Sequence, residues 1–113
     1  MPVAIVLLSG GIDSATALYW ALEQGYAVQA VTYNYQDRAS KELEAARTIA
    51  RHAGVNLREV ELPFLQTAAC IRKENPAALR GIDVPEGYIP TRNLIFYTLG
   101  TYYAEIYGAN CII

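Results

Sequence analysis

Six residues near the start of the chain, Ser9-Gly10-Gly11-Ile12-Asp13-Ser14, have the types and the spacing of an anion cradle. Two consecutive glycines allow backbone conformations closed to other residues and let the main chain come close to a ligand. Successive N–H groups in such a turn form a concave nest, and a helix that starts immediately afterwards adds its positive end. Ser9 and Ser14 place hydroxyl donors at the two edges. Asp13 would repel a phosphate directly, so it either holds Mg²⁺ or caps the helix. A bare Gly-Gly marks only a tight turn; the whole hexapeptide, placed after a first strand, points to phosphate. The chain contains neither G-x-x-x-x-G-K-S/T nor G-x-G-x-x-G, which excludes the Walker lysine loop and the dinucleotide fingerprint.

A second candidate is Thr91-Arg92-Asn93, which follows Pro90 and brings a guanidinium and an amide to a helix start. A helix N-terminus favours negative charge, so an arginine there is ill placed unless it faces an anion such as a carboxylate or phosphate. The other reading is an exposed surface arginine. Tyr33 and Asn34 close the second strand, at the edge of a parallel sheet over which ligands bind. They either stack on and hydrogen-bond adenine or pack as ordinary strand-end residues. His52 reads as a surface histidine, and Cys70 and Cys111 as core thiols. Tyr97, Tyr102, Tyr103 and Tyr107, at helical spacing, read as core or as a subunit interface.

The elements that must position these residues follow from hydrophobic period. Val3 to Leu8 is a continuous aliphatic run, as in a strand buried on both faces. From Asp13 the period becomes helical, with Ala15, Leu18, Tyr19 and Leu22 on one face and Gly25 at the end. Ala27 to Tyr33 is a second strand. Ser40 is placed to cap a helix with the stripe Leu43, Ala46, Ile49, Ala50 and Ala53, ended by Gly54. Lys41, Glu42, Glu44, Arg47 and Arg51 fall on its wet side, with Lys41–Glu44 and Glu44–Arg47 as supporting pairs. A less buried strand runs from Leu57 to Leu62. Pro63 to Lys73 holds a short helix, and Asn75 to Pro90 reads as loop. Thr91 is placed to cap a helix reaching Tyr107 and Gly108, before Asn110-Cys-Ile-Ile113. This alternation predicts an α/β fold, a parallel sheet with right-handed crossovers and helices on both faces.

With 113 residues, 53% hydrophobic and 18% charged, the chain is one globular domain spanning 1–113, and disorder is excluded. A net charge of −2 gives no general attraction to nucleic acid or anionic membrane. Two isolated cysteines exclude a disulfide framework and a self-contained zinc site. No apolar run approaches a bilayer span, and Pro2 to Leu8 lacks the flanks of a signal peptide, so the expected compartment is the cytoplasm. Cys111-Ile-Ile113 reads as the opening of a buried strand, and the expectation is a fragment or truncated product of a longer protein.

The hexapeptide resembles the pyrophosphate loop of the N-type ATP pyrophosphatases, which include GMP, NAD and argininosuccinate synthetases and tRNA-thiolating enzymes. Tyr88-Ile-Pro-Thr-Arg-Asn93 further resembles the Tyr-x-Pro-x-Arg-Asn motif of the 7-cyano-7-deazaguanine synthase family of queuosine and archaeosine biosynthesis. Thr32-Tyr-Asn-Tyr-Gln-Asp-Arg38, followed by Lys41-Glu42-Leu43-Glu44, is similar to the same family, and nearly the whole chain matches in order. There the tyrosine is followed by Gly-Gln-Arg; here Tyr35 runs directly into Gln36-Asp37-Arg38, with one glycine replaced or shifted, and the roles of Gln36 and Arg38 stay open.

The resemblance implies a three-layer Rossmann-like fold of the adenine nucleotide α-hydrolase type. It implies adenylation chemistry that turns 7-carboxy-7-deazaguanine and ammonia into the nitrile, with ATP and Mg²⁺. Ser9, Gly10, Gly11 and Ser14 would bind pyrophosphate, Asp13 would serve Mg²⁺, and Arg92 and Asn93 would orient substrate or phosphate. Thr16, Tyr33 and Asn34 complete the nucleotide-binding candidates, with Asp13 and Arg92 as the catalytic pair. The family's C-terminal substrate motif and zinc-binding cysteines have no counterpart here, so no zinc is expected in this chain. Small molecules rather than nucleic acid or membrane are the expected partners, with a homo-oligomer allowed. A tRNA-thiolating relative and a non-catalytic nucleotide-binding module are the alternatives.

Overall fold

Strand β1 (Val3–Leu7) is the centre of the molecule because its aliphatic run has something to bury on both sides. Ile5 points into a layer formed with Val31, Tyr33, Leu62, Leu65, Ile89 and Tyr103, while Val6 and Leu8 point into the opposite layer with Leu18, Ala21, Ala30, Ala46 and Ala50. Each of these large aliphatic side chains contributes roughly 1.5–3 kcal/mol when fully buried. The structure is a computed structural model, and it describes residues 1–36, 38–81 and 83–113.

The element order is β1, α1 (Ile12–Glu23), β2 (Ala27–Asn34), α2 (Ser40–Ala53), β3 (Asn56–Glu61), α3 (Ala68–Glu74), α4 (Arg92–Tyr107) and β4 (Cys111–Ile112). All strands are parallel, in the order β3-β2-β1-β4. The core layers place α1 and α2 on one face and α4 on the other, so the expected α/β architecture with helices on both faces is what forms. Successive connections move to β2 and β3 on one side of β1, then back to β4 on the other. This reversal opens a crevice above the carboxyl end of β1, where ligands bind in open α/β sheets.

Several local expectations changed. On α1 the buried residues are Leu18 and Ala21, whereas Tyr19 is about half exposed, because the helix meets the sheet one position round from the expected stripe. Ser40 is the first helical residue of α2, with Ala39 at the cap and no capping side chain. Thr91 does occupy the cap of α4, but with a left-handed φ of 53°, and its hydroxyl donates to the Pro90 carbonyl rather than accepting from the helix. Arg47 keeps Glu44 as an electrostatic neighbour, but its hydrogen bonds go elsewhere: its fork grips Glu59 on β3, with Nε and Nη2 at 2.9 and 2.7 Å. A bidentate carboxylate on the neighbouring strand outcompetes a single contact along the helix.

The C-terminal glycines behave as expected, since Gly25, Gly54 and Gly108 all adopt positive φ just beyond their helices. His52 is exposed and both cysteines are half-buried. Of the tyrosines on α4, Tyr103 is buried and edge-on to Tyr102, while Tyr97 and Tyr102 are exposed. No helix among the described residues is long and apolar enough to cross a membrane.

Candidate nucleotide site at the carboxyl end of the sheet

The loop after β1 is held by its own serines. The Ser14 hydroxyl donates to the Gly11 carbonyl at 3.2 Å and accepts from the Ser9 N–H at 3.1 Å. Its proton being committed, the 3.0 Å contact between the two hydroxyls has Ser9 as donor. The Ser9 Oγ in turn accepts from the Gly11 N–H at 3.3 Å. The two hydroxyls therefore close the loop over the start of α1. Gly11 caps α1 without a side chain, and the first helical bond is Ala15 N–H to the Gly11 carbonyl. The N–H groups of Gly10, Ile12, Asp13 and Ser14 find no acceptor among the described residues. Such unspent donors at a helix start are what an anion requires.

Gly10 has φ +99°, and a Cβ there would collide with the Glu42 carbonyl oxygen of α2. Its lack of a side chain thus lets the loop sit against a neighbouring helix. Gly11 has an ordinary φ of −89°, and a Cβ there would make only an ordinary contact with Ser9 Oγ at 3.6 Å.

The cleft above this loop has a volume of about 570 Å³. Ser9, Asp13 and Ser14 line it from one side and Arg92 and Asn93 from the other, with Tyr33 between them. Six of the ten expected site residues are thereby brought together, although α4 lies far along the chain from the loop. Tyr33 is buried; its ring stacks on Phe96 at 4.6 Å and its hydroxyl donates to the Phe96 carbonyl at 2.9 Å. Burial, and secondarily the neighbouring Tyr103, pushes its phenol well above the usual value. It stays neutral and forms a wall that ties α4 to β2.

Gly10, Gly11, Thr16 and Asn34 are not on the cleft lining. The Thr16 hydroxyl turns back to the Ile12 carbonyl at 2.9 Å, on the outer side of α1. The Asn34 amide donates to Glu61 at 2.9 Å and accepts from Arg38 at 3.1 Å. Both side chains are spent within the protein.

Two charged lining residues were not expected, Arg38 and Glu42. Glu42 had been placed on the wet side of α2, and it is exposed; only the contact of α2 with the loop puts it at the cleft. Arg38 lies in the segment whose roles the sequence left open. Gln36 is exposed, and Asp37 lies outside the described residues. Among the described residues, no group of three or more His, Cys, Asp or Glu is placed to hold a metal.

The family described as queuosine biosynthesis protein QueC matches residues 3–113. The chain belongs to the QueC family. A relative from Novosphingobium aromaticivorans, named 7-cyano-7-deazaguanine synthase, is 43% identical over 113 residues, covering 96% of this chain and 48% of its own length. A relative of the same name from Psychrobacter sp. is 37% identical and covers 97% of this chain and 49% of its own length. The QueC-family chain thus spans about half the length of the relatives it matches.

Among solved structures, the glutamine-dependent NAD⁺ synthetase of Acinetobacter baumannii, in complex with ADP, is similar with a TM-score of 0.64 and 25% identity, over 97% of this chain and 20% of that one. The NMN synthetase of Francisella tularensis shares the fold, with a TM-score of 0.67 and 17% identity over 97% of this chain and 43% of that one.

Proposed function

We propose that this chain provides the nucleotide- and carboxylate-binding part of an ATP-dependent synthase that converts 7-carboxy-7-deazaguanine and ammonia into 7-cyano-7-deazaguanine. The observation that carries the reading is the meeting of the Ser9–Ser14 loop with Arg92 and Asn93 across one cleft, in a chain of the QueC family. The names of the relatives supply the product, and the ADP complex of the NAD⁺ synthetase supports an adenine nucleotide.

In this mechanism the free N–H groups at the start of α1, with Asp13 and Ser14 on the cleft lining, take the β- and γ-phosphates of ATP. They stabilise the charge that grows on departing pyrophosphate. Arg92 grips the substrate carboxylate through its planar fork and holds it in line with the α-phosphorus, with Asn93 beside it. The carboxylate oxygen attacks and pyrophosphate leaves; ammonia then displaces AMP to give the amide. A second adenylation on the amide oxygen, followed by loss of AMP and two protons, gives the nitrile. No side chain forms a covalent bond.

Asp13 is exposed at the cleft with Glu42 nearby, which fits a Mg²⁺ held by one or two carboxylates and phosphate oxygens rather than by a protein cage. Bound there, the ion would neutralise polyphosphate charge. Thr16 and Asn34 are given no part, because their side chains are engaged elsewhere.

The test measures AMP and pyrophosphate released from ATP with Mg²⁺, ammonia and 7-carboxy-7-deazaguanine, beside Asp13→Ala. Release by the parent and none by the variant is the expected result. Silence in both, with ATP binding retained by calorimetry, would restrict this chain to nucleotide binding. Absence of ATP binding would end the proposal.

A further inference from the structure

Arg38 is a deeply buried charge, and the mechanism above leaves it unused. Its side chain is 4% exposed. Nη2 donates to the Ser9 carbonyl at 2.7 Å, while Nη1 donates to the Tyr33 carbonyl at 2.7 Å, the Thr32 hydroxyl at 2.8 Å and Asn34 Oδ1 at 3.1 Å. Every one of these acceptors is neutral. Among the described residues, the carboxylate paired with it is Glu42, which stands 3.7 Å from Nε and is itself 57% exposed. Nε is buried and has no hydrogen-bond partner among the described residues. A guanidinium in that position has lost its water and gained no hydrogen-bonded anion, a costly arrangement for a group with a merely structural task.

Its location supplies the compensation. Arg38 lines the cleft from below, between the ends of β1 and β2. By holding the Ser9 carbonyl it fixes the plane of the Ser9–Gly10 peptide, and a trans peptide points its N–H opposite to its C=O. The orientation of the Gly10 N–H, one of the unspent donors of the loop, is thus set by Arg38.

We propose that Arg38 is the positioning residue of the phosphate loop: it holds the Ser9–Gly10 peptide in its anion-accepting orientation and places a buried positive charge beneath the polyphosphate. The inference rests on the nucleotide reading above and adds to it the residue that preorganises the loop. Only a planar fork reaches both strand ends at once; a lysine ammonium keeps the charge but is a single point.

The experiment compares ATP, inorganic pyrophosphate and adenosine binding by calorimetry in the parent chain and in Arg38→Lys, with thermal melts run on both. Arg38→Lys is expected to weaken ATP and pyrophosphate about tenfold or more, the scale of a lost charge-assisted hydrogen bond, while adenosine changes less than about twofold. A purely structural staple would weaken all three alike or none. Should Arg38→Lys fail to fold, Thr32→Val removes one of the four acceptors without changing side-chain volume, and is expected to weaken ATP about threefold and spare adenosine. Unchanged ATP and pyrophosphate affinity in the folded variant overturns the assignment and leaves the nucleotide reading standing. A parent chain that binds neither overturns both.

Discussion

Adjacent glycines in the loop predict opposite outcomes for the same substitution. At Gly10 an alanine would have to adopt φ +99° and its Cβ would strike the Glu42 carbonyl oxygen, with the Glu42 carbon at 3.2 Å and Ala45 Cβ at 3.4 Å. The backbone strain alone costs about 1–2 kcal/mol. The obstacle is main chain in the first turn of α2, which cannot rotate aside, so the overlap adds roughly 1–3 kcal/mol as helix or loop shifts. The expected loss is about 2–5 kcal/mol out of a total stability on the order of 5–15 kcal/mol. For a chain of this size that is a fall in melting temperature of roughly 8–20 °C.

At Gly11 the φ of −89° suits any residue and the nearest atom to a new Cβ is Ser9 Oγ at 3.6 Å, an ordinary contact. Gly11→Ala is expected to stay within about 1 kcal/mol of the parent, its small gain in chain stiffness offset by a poorer helix cap. Melting of the two variants by circular dichroism, side by side, tests the reasoning. Equal losses in the two would refute it, because they would mean that the loop does not sit on α2 as described.

Two further predictions concern stability. Hydrogen bonding from Arg47 holds the Glu59 carboxyl below its usual range. A depressed folded pKa contributes stability above the unfolded value, near pH 4.3, and that stability is lost as pH falls through the folded value. Parent and Glu59→Gln should therefore differ near neutrality and converge in acid, by a small margin that shrinks with salt since the pair is partly exposed; a gap that widens in acid would contradict the sign. Gly100 is buried inside α4, where a Cβ would meet Leu7 Cδ2 at 3.5 Å and Ile112 at 3.6 Å without overlap. Gly100→Ala should raise stability by about 1 kcal/mol through helix propensity, and a lower melting temperature would show that α4 packs closer to the sheet than these distances allow.

The sequence by itself determined the order of elements and the parallel sheet, because hydrophobic period, helix-ending glycines and the Ser-Gly-Gly-Ile-Asp-Ser turn are all properties of neighbouring residues. It also put Ser9, Asp13 and Ser14 in a loop after the first strand, Tyr33 at a strand's carboxyl end, and Arg92 and Asn93 at a helix start, and the fold brings these residues to one cleft.

Tertiary structure alone decided the rest. Asn34 and Thr16 looked available but are consumed by Glu61, Arg38 and a helical carbonyl. Gly10 read as room for a ligand, yet the atom that requires it belongs to α2. Arg47 chose a strand over its own helix. Arg38 stood in a recognisable segment but its partners were not legible there, since they meet only where the ends of β1 and β2 lie side by side. Spacing along the chain dictates which face a side chain takes, but which acceptor it meets depends on elements brought together by packing, and that is written in no single segment.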